Sequence, residues 1–126
     1  MRALLDTQAI LIPALTPEQA PKHLRELLED RDSELFVSSA SLVEIALKNS
    51  IGKIDVPEGL AREAMEDMRL SILPFDARHA YAMFSLPMHH RDPFDRMIIA
   101  TAIAEKLPVV TGDRAFKRYK GLTVIW

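Results

Sequence analysis

Four carboxylates lie where side chains of a folded sheet could act together on a metal ion. Asp6 and Asp113 each follow a short apolar run that is typical of a buried strand. Glu44 and Asp95 lie near the expected starts of two helices. In a wound α/β sheet these positions open toward one edge, so we expect the four side chains to converge there. Carboxylate oxygens are the ligands that Mg²⁺ and Mn²⁺ prefer, and the pattern therefore predicts a site for one of these cations.

Each of these acids also has a structural explanation. An aspartate at the end of a strand can cap the segment that follows it, as Asp6 and Asp113 could. Ser41-x-x-Glu44 has the form of a helix capping box. Asp95 would lie in the first turn of a helix, where the helix dipole favours an acid. Taken one at a time, these explanations are the more common ones, and the joint placement of the four acids is what favours a site.

Bringing four carboxylates together is costly without a compensating charge. Two like charges about 4 Å apart repel by roughly 4 kcal/mol at an effective dielectric constant near 20. One or two divalent cations would offset this repulsion. Raised pKa values of the acids would also offset it if no metal binds.

The composition is that of an ordinary globular chain. The sequence has 126 residues, of which 48% are hydrophobic and 27% charged, and we expect one domain spanning residues 1–126. There is no cysteine, which excludes disulfides, thiolate metal ligands and cysteine nucleophiles. No apolar run approaches the roughly 18 residues of a membrane helix, and the N-terminus does not resemble a signal peptide. We therefore expect a soluble, unprocessed cytoplasmic protein.

Charge is distributed unevenly along the chain. The net charge of −2 provides no overall basic field that would attract nucleic acid. The last quarter of the chain nevertheless carries five basic residues, which are Lys106, Arg114, Lys117, Arg118 and Lys120. They form either a solvated helix face or a surface near the acids. The candidates for contact with phosphate are Arg91, Arg96, Arg114 and Lys117.

Strand and helix signals alternate along the chain. The predicted strands are residues 3–5, 35–37, 72–75, 108–111 and 123–126. The predicted helices begin at Thr16, Ser41, Pro57, Asp76 and Asp92, and Gly52 is expected to end the second of them. The fourth helix is expected to bury Ala80, Met83 and Phe84. This alternation predicts a three-layer α/β/α fold with a central, mostly parallel sheet flanked by helices.

Four motifs along the chain resemble those of the PIN-domain family, in particular the VapC-like toxins of bacterial toxin–antitoxin pairs. The motifs occur in the family's order, from near the N-terminus to the last quarter of the chain. They are Leu5-Asp6-Thr7, Ser38-x-x-Ser41-Leu42-x-Glu44-Ile45, Asp92-Pro93-Phe94-Asp95-Arg96-x-Ile98-Ile99-Ala100-x-Ala102 and Val110-Thr111-Gly112-Asp113-x-x-Phe116. Each motif is weak by itself, but four in order at compatible spacing are a specific signal.

The resemblance implies roles for individual residues. The acidic quartet, expected both to bind metal and to act in catalysis, is Asp6, Glu44, Asp95 and Asp113. The hydroxyl of Thr111 would help to orient the site. Asp92 would be a helix cap or an outer group of the site, and Gln8 departs from the asparagine or serine of many relatives. The roles of His89 and His90 stay open between a structural contact and a contact with substrate or partner.

The resemblance also implies an activity and partners. The expected activity is hydrolysis of phosphodiester bonds in single-stranded or structured RNA, with Mg²⁺ or Mn²⁺ activating the attacking water. The expected partners are the RNA substrate, a cognate antitoxin protein and a second copy of the chain. The resemblance implies that a terminal segment of the antitoxin covers the cleft, with a basic side chain facing the acids. The apolar content of residues 17–28 and 58–72 is typical of a helical surface, which forms either the contact between two copies or part of the core.

Other classes fit the sequence less well. The main alternative is a non-catalytic PIN-like binding module, although such a module has no need of four acids in one cleft. An aspartyl-phosphate phosphatase usually has a second acid two residues after the first, where this chain has Gln8. A receiver domain would need a central acceptor aspartate, and Asp55 is poorly placed. The four glycines form no Gly-x-Gly-x-x-Gly motif, which excludes a typical dinucleotide site.

Overall fold

The computed structural model describes residues 1–126 and contains one five-stranded parallel sheet. The strands are β1 (Arg2–Leu5), β2 (Glu34–Ser38), β3 (Leu70–Leu73), β4 (Val109–Val110) and β5 (Val124–Ile125). Their order across the sheet is β3-β2-β1-β4-β5, and every neighbouring pair is parallel. The strand order reverses at β1, which lies between β2 and β4. The crevice outside the carboxyl ends of β1 and β4 is therefore the expected place for a ligand.

Six helices connect and cover the strands. They are α1 (Thr7–Leu15), α2 (Lys22–Glu29), α3 (Ser39–Ser50), α4 (Glu58–Asp67), α5 (Ala77–Ala82) and α6 (Pro93–Glu105). Short 3₁₀ turns cover Pro17–Gln19, Met83–Ser85 and Arg114–Arg118. The three-layer α/β/α architecture with a parallel central sheet is as predicted. None of the helices is both long and apolar enough to cross a membrane.

Alternating side chains of the central strand pack on opposite faces of the sheet. Leu5 belongs to a core cluster that also contains residues of α1, α2 and α4. Leu4 belongs to a second cluster, formed with residues of α6 and the last 3₁₀ turn. Both leucines are fully buried. Because neighbouring residues of a strand point to opposite faces, β1 is anchored from both sides, and the position of Asp6 at its end is firmly fixed.

The largest difference from the predicted elements is α1. Its segment, TQAILIPAL, has apolar residues on nearly every side and a proline inside, so it lacks the amphipathic period by which a surface helix is recognised. Asp6 caps this helix and accepts a hydrogen bond from the amide of Ala9 at 2.7 Å. The predicted start at Thr16 is only a three-residue 3₁₀ turn without a side-chain cap, and a continuous helix begins at Lys22.

The start of α3 also differs from the prediction. Ser38, not Ser41, is the N-cap, and its hydroxyl accepts the amide of Ala40 at 3.0 Å. Strand β2 therefore runs directly into α3, and Ser41 is buried inside the first turn. The capping-box explanation of Glu44 is thereby removed. The helix ends near Gly52, as predicted, and this glycine has a φ of 75°.

The region around β3 shows two further corrections. The strand begins at Leu70 and ends before Pro74, two residues earlier than predicted, because Leu70 to Leu73 pair with β2 from Leu35 to Ser38. The following helix, α5, is capped by Asp76 as predicted. It buries His79, whereas Ala80 is exposed and Phe84 is 88% exposed.

Candidate functional site

The four predicted acids lie together at the carboxyl edge of the sheet. Asp6 follows β1, and Asp113 follows β4 and caps the last 3₁₀ turn. Glu44 lies on α3 and Asp95 in the first turn of α6. Burial is the largest cause of the raised pKa values of Asp6 and Asp95. The negative charges of Asp113 and Glu44 add to it at Asp6, and those of Glu44 and Asp6 add to it at Asp95. The predicted convergence is therefore present in the fold.

Asp6 is the most deeply placed of the aspartates in this cluster. It is 4% exposed, and burial raises its pKa to about 6. Two hydrogen bonds favour the charged form and limit this rise. One comes from the hydroxyl of Thr111 to Oδ2, and the other is the amide of Ala9 to Oδ1. Thr111 Oγ1 also accepts the amide of Asp113 at 3.0 Å, so this hydroxyl links two of the acids.

Glu44 is held by a hydroxyl and by a lysine. The hydroxyl of Thr7 donates to Oε1 at 2.5 Å and lies 3.0 Å from the hydroxyl oxygen of Ser41. Lys48 lies one turn along α3, with its Nζ 2.7 Å from Oε2 of Glu44. The hydrogen bond to Glu44 raises the pKa of Lys48. The positively charged Lys48 thus lies beside Glu44, the one glutamate of the cluster.

Asp95 is kept free for the site because another acid caps its helix. Oδ1 of Asp92 accepts the amides of Phe94 and Asp95 at 2.9 and 3.1 Å, which identifies Asp92 as the predicted N-cap. Burial, and next the charge of Asp92, raises the pKa of Asp95 to about 7, whereas His90 acts in the opposite direction. A carboxyl group with such a pKa at a sheet edge is typical of a functional site.

Asp113 and Asp95 are joined by a histidine. Nε2 of His90 lies 2.7 Å from Oδ2 of Asp113 and 3.0 Å from Oδ2 of Asp95. Donor atoms of these three residues lie within 4.8 Å of one another. The second oxygen of Asp113 accepts the amide of Ala115 at 2.9 Å. His90 is therefore part of the site, which the sequence left open.

Sequence reasoning missed Lys48 and did not assign His90. Lys48 follows Glu44 at the i,i+4 spacing that brings helix side chains together, and this spacing was the available signal. His90 lies in a loop, where spacing does not define a face. Its place between two acids depends on how that loop folds.

One residue predicted to contact phosphate has a structural role in the fold. The guanidinium of Arg96 donates to the carbonyl oxygens of Pro87 and His90 at 3.0 and 3.3 Å, and so it holds the loop before α6. Arg91, Arg114 and Lys117 are exposed and adjoin the acids in sequence. Contact of these three residues with phosphate stays a prediction.

The donor set fits a hard divalent cation. It consists of four carboxylates supported by hydroxyls, and carboxylate and hydroxyl oxygens suit Mg²⁺ or Mn²⁺. Two of the acids have pKa values raised to about 6 and about 7, because burial and, to a smaller extent, the charges of neighbouring acids destabilise their deprotonated forms. A cation at this edge would relieve that repulsion.

Several solved structures contain chains with the same fold. A chain in the crystal structure of VapBC2 from Rickettsia felis, bound to a DNA fragment from their promoter, has a TM-score of 0.76 and 23% identity, and the match covers 99% of this chain and 98% of that one. For DNA-bound VapBC from Salmonella typhimurium the TM-score is 0.73 and the identity 25%, over 99% and 97% of the two chains. For FitAcB from Neisseria gonorrhoeae the values are 0.63 and 22%, over 100% and 97%.

Comparison at the level of sequence gives a family and no individual relative. No curated protein sequence matches the chain. The profile of the PIN domain, in contrast, matches residues 3–122, a span that includes all four acids. The resemblance predicted from the motifs is thus confirmed, and the chain belongs to the PIN-domain family.

Proposed function

We propose that this protein is a metal-dependent endoribonuclease and the toxin of a toxin–antitoxin pair. The observation that carries the proposal is the cluster of Asp6, Glu44, Asp95 and Asp113 at the carboxyl edge of a PIN-domain sheet. The likeness of the whole fold to chains of VapBC and FitAB complexes supports the biological assignment. No structural feature favours the alternative of a non-catalytic binding module.

The four carboxylates are proposed to hold the cation and to act with it in hydrolysis. When bound, a divalent cation lowers the pKa of the attacking water and stabilises the charge that develops on the phosphate. Thr111 and Thr7 keep Asp6 and Glu44 in place by donating hydrogen bonds to their carboxylates. Asp95 and Asp113 are partly exposed, so a polynucleotide can reach them. Because positioning and charge supply the rate acceleration, the site needs no nucleophilic side chain.

The RNA backbone is proposed to approach along the basic residues beside the site. Arg91 precedes the cap of α6, and Arg114 follows Asp113 directly. Both are exposed, so their guanidinium groups are free to contact phosphate. Such contacts would compensate for the overall net charge of −2, which gives little general attraction to RNA.

A cleavage assay with matched variants tests the proposal. Purified protein is incubated with single-stranded RNA in Mg²⁺ or Mn²⁺, with and without EDTA, and the fragments are sequenced. We expect cleavage that EDTA abolishes and that Asp6→Asn and Asp95→Asn lose while remaining folded. Asp55→Asn is the matched control, because Asp55 is exposed and lies outside the cluster. Cleavage that survives in either cluster variant, or that is absent from the wild type, would overturn the assignment.

An antitoxin is proposed to bind the groove between α3 and α4. The groove has a volume of about 770 Å³ and an apolar floor that includes Leu42, Ile45, Val56 and Met65. Solved structures with this fold include a toxin–antitoxin complex and a member of a family of toxin–antitoxin systems, which supports an antitoxin segment as the occupant. We expect Ala61→Arg, which places a charge in the groove, to weaken binding of the cognate antitoxin. Glu63→Arg on the exposed side of α4 should bind normally, and equal binding by both variants would exclude the groove.

We also propose that residues 1–126 form a single domain, that the protein is a homodimer and that it is located in the cytoplasm. The exposed apolar side chains Tyr81, Phe84 and Met88 are candidates for the contact between two copies. The molar mass in solution, measured by light scattering, distinguishes a dimer from a monomer of 14.2 kDa.

A further inference from the structure

His90 connects two acids that belong to different parts of the fold. Asp95 lies on α6, whereas Asp113 lies on the turn after β4. The Nε2 atom of His90 hydrogen-bonds Oδ2 of Asp113 at 2.7 Å and lies 3.0 Å from Oδ2 of Asp95. A donor between two carboxylates brings them together despite their repulsion.

The loop before α6 presents one particular nitrogen of the ring to these acids. Nδ1 of His90 accepts the backbone amide of Asp92 at 3.1 Å. A nitrogen that accepts a hydrogen bond carries no proton, so the neutral ring carries its proton on Nε2. The Nε2–H therefore donates toward Asp113 and Asp95. In this orientation His90 acts as a donor to the acids and not as a metal ligand.

The ring is held in place independently of the acids. It packs edge-on against Phe116, with ring centroids 5.9 Å apart and an interplanar angle of 87°. The backbone amide of His90 donates to the hydroxyl of Tyr119 at 2.9 Å, and Arg96 donates to its carbonyl oxygen at 3.3 Å. Because the surrounding contacts fix the ring, the ring can fix the acids.

Asp113 is the acid that depends most on such support. Its side chain is 40% exposed, compared with 21% for Asp95. One of its oxygens is held by the amide of Ala115, and the other is held by His90. Each carboxylate oxygen can accept more than one bond, so the contact with His90 leaves capacity for a cation.

We propose that His90 is a positioning residue that holds Asp95 and Asp113 in the arrangement that binds the divalent cation. The inference rests on the proposed metal-dependent function. It assigns to the histidine a role outside the set of ligands, in which it orients them. Removal of a hydrogen-bond partner that orients a ligand typically weakens metal binding roughly 10–100-fold.

Binding of Mn²⁺ tests this role apart from RNA cleavage. The Kd of Mn²⁺ is measured by electron paramagnetic resonance for the wild type, His90→Ala, His90→Gln and His89→Ala. We expect a Kd at least roughly tenfold higher for His90→Ala. His90→Gln should recover part of the affinity, because its amide can donate from a similar distance. His89→Ala is the matched control, because His89 packs on Tyr119 and does not contact the acids.

Each outcome bears on either this inference or the proposed function. A Kd of His90→Ala equal to or below that of the wild type would overturn the inference, and so would a wild type that binds no Mn²⁺. Circular dichroism establishes that the variants are folded. If His90→Ala is not folded, His90→Phe takes its place, because it keeps an aromatic ring against Phe116 but has no donor. The same two outcomes then apply to its Kd. Weaker Mn²⁺ binding in His90→Ala without RNA cleavage by the wild type would support the role of His90 and reject the nuclease.

Discussion

The acid cluster has two halves that are built in different ways. The inner half consists of Asp6 and Glu44, each 4% exposed. They are held by the hydroxyls of Thr111, directly after β4, and of Thr7, the first residue of α1. The outer half consists of Asp95 and Asp113, which are partly exposed and are joined by His90 of the loop before α6. The inner half is thus anchored in the core, and the outer half depends on a loop.

The difference shows how one site can be both rigid and accessible. Hydroxyls buried beside Asp6 and Glu44 fix their oxygens at no further cost in side-chain entropy, because the core already orders them. Asp95 and Asp113 lie where substrate must enter, and there a surface contact replaces burial. The inner half should therefore dominate catalysis and stability, whereas the outer half should respond more to pH and to changes in the loop.

The largest expected effect is a difference in RNA cleavage rate between a variant of the inner half and a variant of the outer half. We expect Asp6→Asn to lower the RNA cleavage rate by about 10³-fold, since stabilisation of developing charge by the cation contributes several kcal/mol and Asp6 is proposed to hold that cation. Asp113→Asn should lower it by only about 10- to 100-fold, because this partly exposed carboxylate adds less. Single-turnover cleavage at saturating Mg²⁺ measures both. Equal losses in the two variants would show that the halves do not differ in this way.

The next largest expected effect is the pH dependence of stability in protein freed of metal by EDTA. The folded-state pKa values of Asp6 and Asp95, about 6 and about 7, lie above the ordinary value near 4. The folded chain therefore holds more protons than the unfolded chain, and stability falls as pH rises through these values. Between pH 5.5 and 8 these pKa values correspond to a loss of about 3 kcal/mol. Solvent screening at the partly exposed Asp95 reduces the expected loss to about 2 kcal/mol, measured by urea unfolding.

The same experiment shows how much of this loss of stability each half of the acid cluster contributes. Asp95→Asn should remove more of the pH dependence than Asp6→Asn, because the pKa of Asp95 lies higher within the range. Both variants should be more stable than the wild type at pH 8 without metal, since each removes a charge from the cluster. If both instead melt several degrees lower, the acids are mainly caps and hydrogen-bond acceptors.

The smallest expected effect concerns Lys48, the partner of Glu44. We expect Lys48→Met to lower the free energy of unfolding at pH 8 by about 1 kcal/mol, because Glu44 then lies buried without its partner. The value is modest because Lys48 is itself 30% exposed. Addition of Mg²⁺ should restore part of the loss, and Lys53→Met, at an exposed position, should be neutral. A loss that Mg²⁺ does not reduce would assign Lys48 to the fold alone.

The helices near the site show which helix starts can be predicted from local sequence signals. Asp92-Pro93 was recognised as the start of α6 because a cap and a following proline act within one turn. The cap of α3 was misplaced by three residues, since Ser38 and Ser41 are equally good caps by type. Helix α1 was missed because a helix buried on most sides has no period to detect.

The sequence by itself determined the alternation of strands and helices, the four acids and the resemblance to PIN domains. These properties depend on residue types and short spacings, which are visible in the sequence without knowledge of the fold. Only the tertiary structure decided that Lys48 is the partner of Glu44, that Arg96 holds a loop and that His90 joins Asp95 to Asp113. Such contacts depend on angles and distances between elements far apart in the chain, and no local pattern encodes them.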